Sequence, residues 1–160
     1  MTNLEFYKAC FANEKASTLQ LFLSLPSEKL GYRPHSINRS AREIIAHLMA
    51  HLVDLKIILG HSVCNETMDF DFLDSEDAAN KMNILWDTVA EALHKLNIVQ
   101  WEEEQVELFV NEKSFVKLPR NSMMWFFFFD IIHHRGQLSS YVRPMGGKNP
   151  AIYGYSADTI

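Results

Sequence analysis

Apolar residues recur at helical spacing in four stretches of the chain. From about Asn3 to Leu25, the positions Leu4, Tyr7, Phe11, Leu21, Phe22 and Leu25 keep that spacing around a polar gap at Glu14 and Lys15. Pro26 and the run LGYRPHS end this segment. The second stretch opens on SARE, where Ser40 can cap the first turn while Glu43 reaches back to it. Ile44, Leu48, Leu52, Leu55 and Leu59 follow as one row, and Gly60 stops it. Met82, Leu85, Trp86, Val89, Leu93 and Leu96 predict a third helix from about Glu76 to Ile98. A fourth runs from about Asn121 to Val142, where Arg143-Pro144 ends it. Between the third and fourth the period changes: Val106, Leu108 and Val110 alternate with polar residues, NEK reads as a turn, and Phe115 alternates on with Lys117. That pattern predicts a small hairpin. The linker after Gly60 is polar and acidic, and the tail MGGKNPAIYGYSADTI, rich in Gly and Pro, predicts extended chain. The expectation is an all-α fold, a four-helix bundle in one domain spanning residues 1–160.

Composition narrows the function classes. Apolar residues make up 48% of the chain, enough for a sizeable core. The net charge of −5 and the lack of a basic block count against nucleic acid as a partner. Glu5 and Lys8 interrupt the N-terminal segment, so it does not read as a signal peptide. The most apolar run, MMWFFFF, is too short to span a bilayer, so no membrane is expected. Cys10 and Cys64 lack CxxC spacing and read as free thiols of a cytoplasmic protein.

The candidate chemistry lies in FFFFDIIHHRGQLSSY, residues 126 to 141. Asp130 and His134 are four apart, so on a helix they share a face, about 6 Å apart along the axis. Asp130 follows seven apolar residues and precedes Ile131 and Ile132. A carboxylate placed there needs a partner, because burying it alone is costly. His47 and His51 in the second helix are also four apart, at the edge of its apolar row. One of these imidazoles with Asp130 and His134 makes two histidines and one carboxylate, a set that suits iron, manganese, nickel or zinc and leaves a position open. The plainer alternative is a core hydrogen-bond network, with Asp130 accepting from His51 or Arg42. His133 projects about 100° away from His134 and faces solvent or another acceptor. The aromatic run reads most simply as core plus a subunit interface. His35, His61 and His94 read as solvated, and Trp101 with Glu102 to Glu104 as an exposed acidic turn.

The run DIIHHRGQLSSYVRPMGGKNPAIYG resembles the C-terminal helix and tail of the DinB-like (DinB/YfiT) superfamily, and SAREIIAHLMAHL resembles that family's first metal-ligand segment. The resemblance covers nearly the whole chain. It implies an up-down-down-up four-helix bundle, a homodimer, and one divalent metal ion (Zn, Ni, Mn or Fe) held by three histidines. By position the ligands fall on His47, Asp130 and His134. Asp130 stands where the usual pattern has histidine, which turns the site into a two-histidine, one-carboxylate site or abolishes it. His51 is the alternative ligand. The function implied is a divalent-metal-dependent enzyme of hydrolase or thiol-dependent transferase type. Metal-activated water or a low-molecular-weight thiol would act on an unknown small-molecule substrate. Gln137, one turn beyond His134, is placed to orient the bound group, and Tyr141 to line the mouth. The alternative is a non-catalytic, dimeric stress-response binding module with a decayed metal site, in which Asp130 only accepts hydrogen bonds from His47 or His51.

Overall fold

The computed structural model describes residues 1–159. Among them are five helices: α1 (Asn3–Leu23), α2 (Ala41–Gly60), α3 (Ser75–Lys95), α4 (Ile98–Glu102) and α5 (Arg120–Ser139). Three strands accompany them, β1 (Val63–Asn65), β2 (Gln105–Val110) and β3 (Lys113–Pro119). Local chemistry sets the helix starts. The Ser40 hydroxyl accepts from the Glu43 N–H, and the Glu43 carboxylate accepts from the Ser40 N–H at 2.6 Å, closing a capping box at α2. Thr2 and Glu5 do the same at α1, and Asp74 caps α3 by accepting from the Asp77 N–H.

Contacts between the long helices fix their directions. Tyr7 meets Met124 and Thr18 meets Arg135, so α1 and α5 run parallel. His51 packs on Phe127 and His47 on His134, so α2 runs against α5. The Trp86 indole donates to the Phe11 carbonyl and the Ser75 hydroxyl to the Leu25 carbonyl, so α3 runs against α1. The core between them is aromatic. Phe11 stacks on Trp86 at 4.4 Å, and Tyr7 packs against Phe128 and Trp101. The phenylalanine run is divided by helical geometry: Phe127 and Phe128 are buried, while Phe126 and Phe129 are exposed.

The expected all-α four-helix bundle is corrected by a three-stranded mixed sheet in the order β1-β2-β3, and by a fifth helix. β2 and β3 form a hairpin whose two-residue turn joins the paired Val110 and Lys113. β1 adds to it in parallel, with Val63 opposite Glu107. β1 left no periodic trace because it is three residues of polar linker, made a strand by the ladder β2 offers and not by its own propensity. The hairpin also carries an irregularity near Phe115, which is skipped between the pairs Leu108↔Val116 and Phe109↔Ser114 and left exposed.

Trp101 likewise departs from the expected exposed turn. The short helix α4 buries its ring, and its indole donates to the Asn3 side chain at 3.0 Å. The three glutamates that follow masked it as a surface residue.

After α5 the chain turns at Gly146 (φ +90°) and passes so close to α1 that a Cβ on Gly147 would lie 2.3 Å from the Ser24 carbonyl oxygen. Tyr153 then lies over the buried Arg135 guanidinium, which also pairs with Glu14 of α1. The tail therefore docks on the α1 side of α5. No helix among the described residues is long and apolar enough to cross a membrane.

Candidate metal centre

The seam between α2 and α5 holds the titratable cluster. His47 and His51 are one turn apart on α2, Asp130 and His134 one turn apart on α5, and the antiparallel crossing sets the two pairs face to face. Asp130 Oδ2 is their common point. It lies 2.7 Å from His51 Nε2, 3.4 Å from His134 Nε2 and 3.5 Å from His47 Nε2. The rings of His47 and His134 are 4.7 Å apart. His47, Asp130 and His134 each present one ligand atom, and all three lie within 4.8 Å of one another. The Asp130 side chain keeps 37% of its surface exposed, whereas that of His51 keeps 4%. The cluster thus has a wet side and a dry side, with His51 on the dry one.

Two of the three imidazoles have a second neighbour. His134 Nδ1 lies 3.0 Å from Gln137 Oε1. A carbonyl oxygen can only accept, so this bond calls for a proton on Nδ1 and turns Nε2 toward the cluster. His51 turns its Nδ1 toward Asp54 Oδ2 at 3.5 Å, beyond good hydrogen-bond range but within ion-pair reach. Asp54 is fully buried, and its other oxygen accepts from the Thr67 N–H at 3.0 Å and the Thr67 hydroxyl at 2.6 Å.

Burial raises the Asp130 carboxyl, but its hydrogen bonds with His134, His47 and His51 outweigh that and hold it far below the ordinary carboxylate range. Burial pulls the His47 imidazole below its ordinary value, and the bond to Asp130 offsets only part of this. Burial also pulls on His51, yet its bonds to Asp130 and Asp54 win and its pKa is raised. Burial beside Asp54 pushes the Cys64 thiol up to about 12, so it is no nucleophile near neutral pH.

A cavity of about 280 Å³ opens beside His47, lined by Arg39, Glu43, Ala46, His47, Met68 and Asp69. Tyr141 is buried and its hydroxyl donates to the Arg39 carbonyl at 3.1 Å, so it supports the turn that carries Arg39. His133 points to solvent. Neither Asp54 nor Arg39 emerged from the sequence. Asp54 did leave a signal: with His47 and His51 it completes a polar stripe at spacing four and three through an apolar helix face. A second groove, about 500 Å³ and lined by Phe6, Cys10, Trp125, Phe129 and Ile132 among others, lies between α1 and α5, and none of the cluster residues lines it.

Two imidazole nitrogens and one carboxylate oxygen, converging on one point with a wet side, fit a first-row divalent ion by the chemistry of the donors. Comparison with known proteins agrees with the architecture. The sequence profile described as "DinB family" matches residues 1–159. The crystal structure of a DinB-like protein, YjoA from Bacillus subtilis, matches with a TM-score of 0.74 and 18% identity. The match covers 92% of this chain and 96% of that one, and at this identity it speaks for the fold alone. No curated protein matches the chain.

Proposed function

The chain belongs to the DinB family, and we propose that it is a divalent-metal-dependent enzyme whose ion (Zn, Ni, Mn or Fe) is held by His47, Asp130 and His134. The observation that carries this reading is the convergence of those three groups within 4.8 Å across the α2–α5 seam. Such an ion supplies a Lewis acid that makes water or a small thiol nucleophilic near neutral pH, the chemistry of a hydrolase or thiol-dependent transferase.

The chain's own residues prepare the site. Gln137 holds the proton of His134 on Nδ1, which frees Nε2 for the ion. The Asp130 carboxyl stays ionised, so it brings its negative charge to a cation. His51 takes the role of hydrogen-bond donor to Asp130, in preference to that of alternative ligand. A small molecule enters through the cavity beside His47, where Arg39 offers a cationic group. Tyr141 keeps Arg39 there by bonding its carbonyl. The free cysteines Cys10 and Cys64 support a cytoplasmic setting. The acidic net charge argues against nucleic acid as a partner. The exposed Phe6 and Phe129 beside the α1–α5 groove support a homodimer.

A second reading is favoured by the 2.7 Å bond from His51 to Asp130, which already gives the carboxylate a strong partner. In it the protein is a non-catalytic binding module with a decayed metal site. Thermal denaturation of untagged protein separates the two. At a hundredfold excess over Kd, an ion that binds only the folded state adds about 2.7 kcal/mol. That is a rise of roughly 5–10 °C for a chain this size. Zinc, nickel or manganese is expected to give such a rise, reversed by chelator and absent in His134→Ala. A melting temperature unmoved by all three ions gives the decayed site.

A further inference from the structure

The buried side of the cluster contains a row of groups that metal ligation does not use. Asp54 is fully buried on α2, one turn beyond His51. Its Oδ2 has no hydrogen-bond partner, and neither does His51 Nδ1, yet the two atoms face each other at 3.5 Å. His51 is itself buried, flanked by Phe127 at 4.9 Å, and its remaining nitrogen reaches Asp130 Oδ2 at 2.7 Å. On its far side Asp54 takes the Thr67 backbone N–H and hydroxyl. Thr67 precedes Met68 and Asp69, which line the cavity beside His47. A row of groups therefore runs from the rim of the cavity through Thr67 and Asp54, across a 3.5 Å contact to His51, and on to the carboxylate at the centre of the cluster.

We propose that Asp54 is a positioning residue that acts through His51 on Asp130, fixing the orientation in which that carboxylate is offered to a metal ion. The inference rests on the metal reading of the cluster. Burying a carboxylate so deeply is costly unless it is held by fixed donors. One Asp54 oxygen is held by the Thr67 donors and the Cys64 thiol, and the other faces His51 Nδ1 within ion-pair reach, at 3.5 Å. A ligand oxygen held from behind loses little freedom when the ion binds, and removing such an outer partner weakens metal affinity by about 10–100-fold.

The test measures zinc affinity by competition with a chromogenic chelator, and the absorption spectrum of the cobalt(II) form, which reports the ligand geometry directly. The proteins are wild type, Asp54→Asn, His51→Ala and His51→Gln. In Asp54→Asn the amide replaces the carboxylate at nearly constant volume. It is expected to bind zinc at least tenfold more weakly and to shift the cobalt bands while its far-ultraviolet circular dichroism stays that of wild type. His51→Ala is expected to behave alike, and His51→Gln, whose amide can still donate to Asp130, to recover part of the loss. A folded Asp54→Asn with wild-type zinc affinity and an unchanged cobalt spectrum overturns the proposal. Should that variant not fold, the His51 pair decides, and equal affinities for wild type, His51→Ala and His51→Gln overturn it. A wild type that binds neither ion removes the metal reading first and this inference with it, an outcome distinct from a loaded wild type with indifferent variants.

Discussion

His51 and His47 sit one turn apart on the same helix, yet folding shifts their pKa values in opposite directions. For His51, raised in the fold, the stabilisation is fully present below the ordinary value of about 6.5 and is lost as pH rises through the folded value. His47 is lowered, so its share is present above about 6.5 and is lost as pH falls through its folded value. Asp130 is lowered as well, and its share is lost only in acid, below about 4. Melting curves of chelator-treated protein between pH 5 and 8 check this. Wild type is expected to exceed His51→Gln most at the acid end, and the margin should shrink as pH rises past about 6.5. A margin that grows with pH contradicts the raised pKa of His51. Spacing in the sequence put His47 with His51, and Asp130 with His134, on shared helix faces. That the two faces meet depends on how far α2 slides along α5, and no local pattern encodes that offset. Asp54 escaped notice for a related reason: its partner Thr67 lies in a linker without period, and only the tertiary fold brings them together.

At the scale of elements, the hairpin was legible because alternation is a local signal, whereas β1 was not, because its partner strand lies beyond α3 in the chain. The helix starts of α1 and α2 follow directly from Thr2-Glu5 and Ser40-Glu43, pairs that make their bonds within one turn. The β2–β3 turn is less well served by its sequence. Asn111 and Glu112 both have positive φ, 49° and 63°, as a two-residue turn of the primed type requires. Asn tolerates this, but a Glu side chain in the left-handed region costs roughly 1–2 kcal/mol. Glu112→Gly is therefore expected to raise stability by about 1 kcal/mol, less than the full strain because glycine also frees the unfolded chain. Urea unfolding monitored by tryptophan fluorescence measures it. A lower midpoint would mean that the Glu112 side chain gives the turn something its backbone does not reveal.

Over the whole molecule, aromatic side chains are distributed between an inner and an outer duty. Tyr7, Phe11, Trp86, Phe127 and Phe128 close the core, while Phe6 and Phe129 stay uncovered beside the α1–α5 groove. Leaving such rings in water has a cost that a second copy of the chain would remove. Sedimentation velocity is expected to show a dimer for wild type and a monomer for Phe129→Asp, with a melting temperature that rises with protein concentration for wild type and not for the variant. A monomeric wild type refutes the dimer. The antiparallel meeting of α2 and α5 has one more consequence, for the order of biosynthesis. Translation delivers His47 and His51 early, on a helix where neither has Asp130 or His134 to face until α5 leaves the ribosome. The chemically equipped seam closes only once the last long helix has emerged, so a premature stop between α2 and α5 yields a chain holding only half of the cluster.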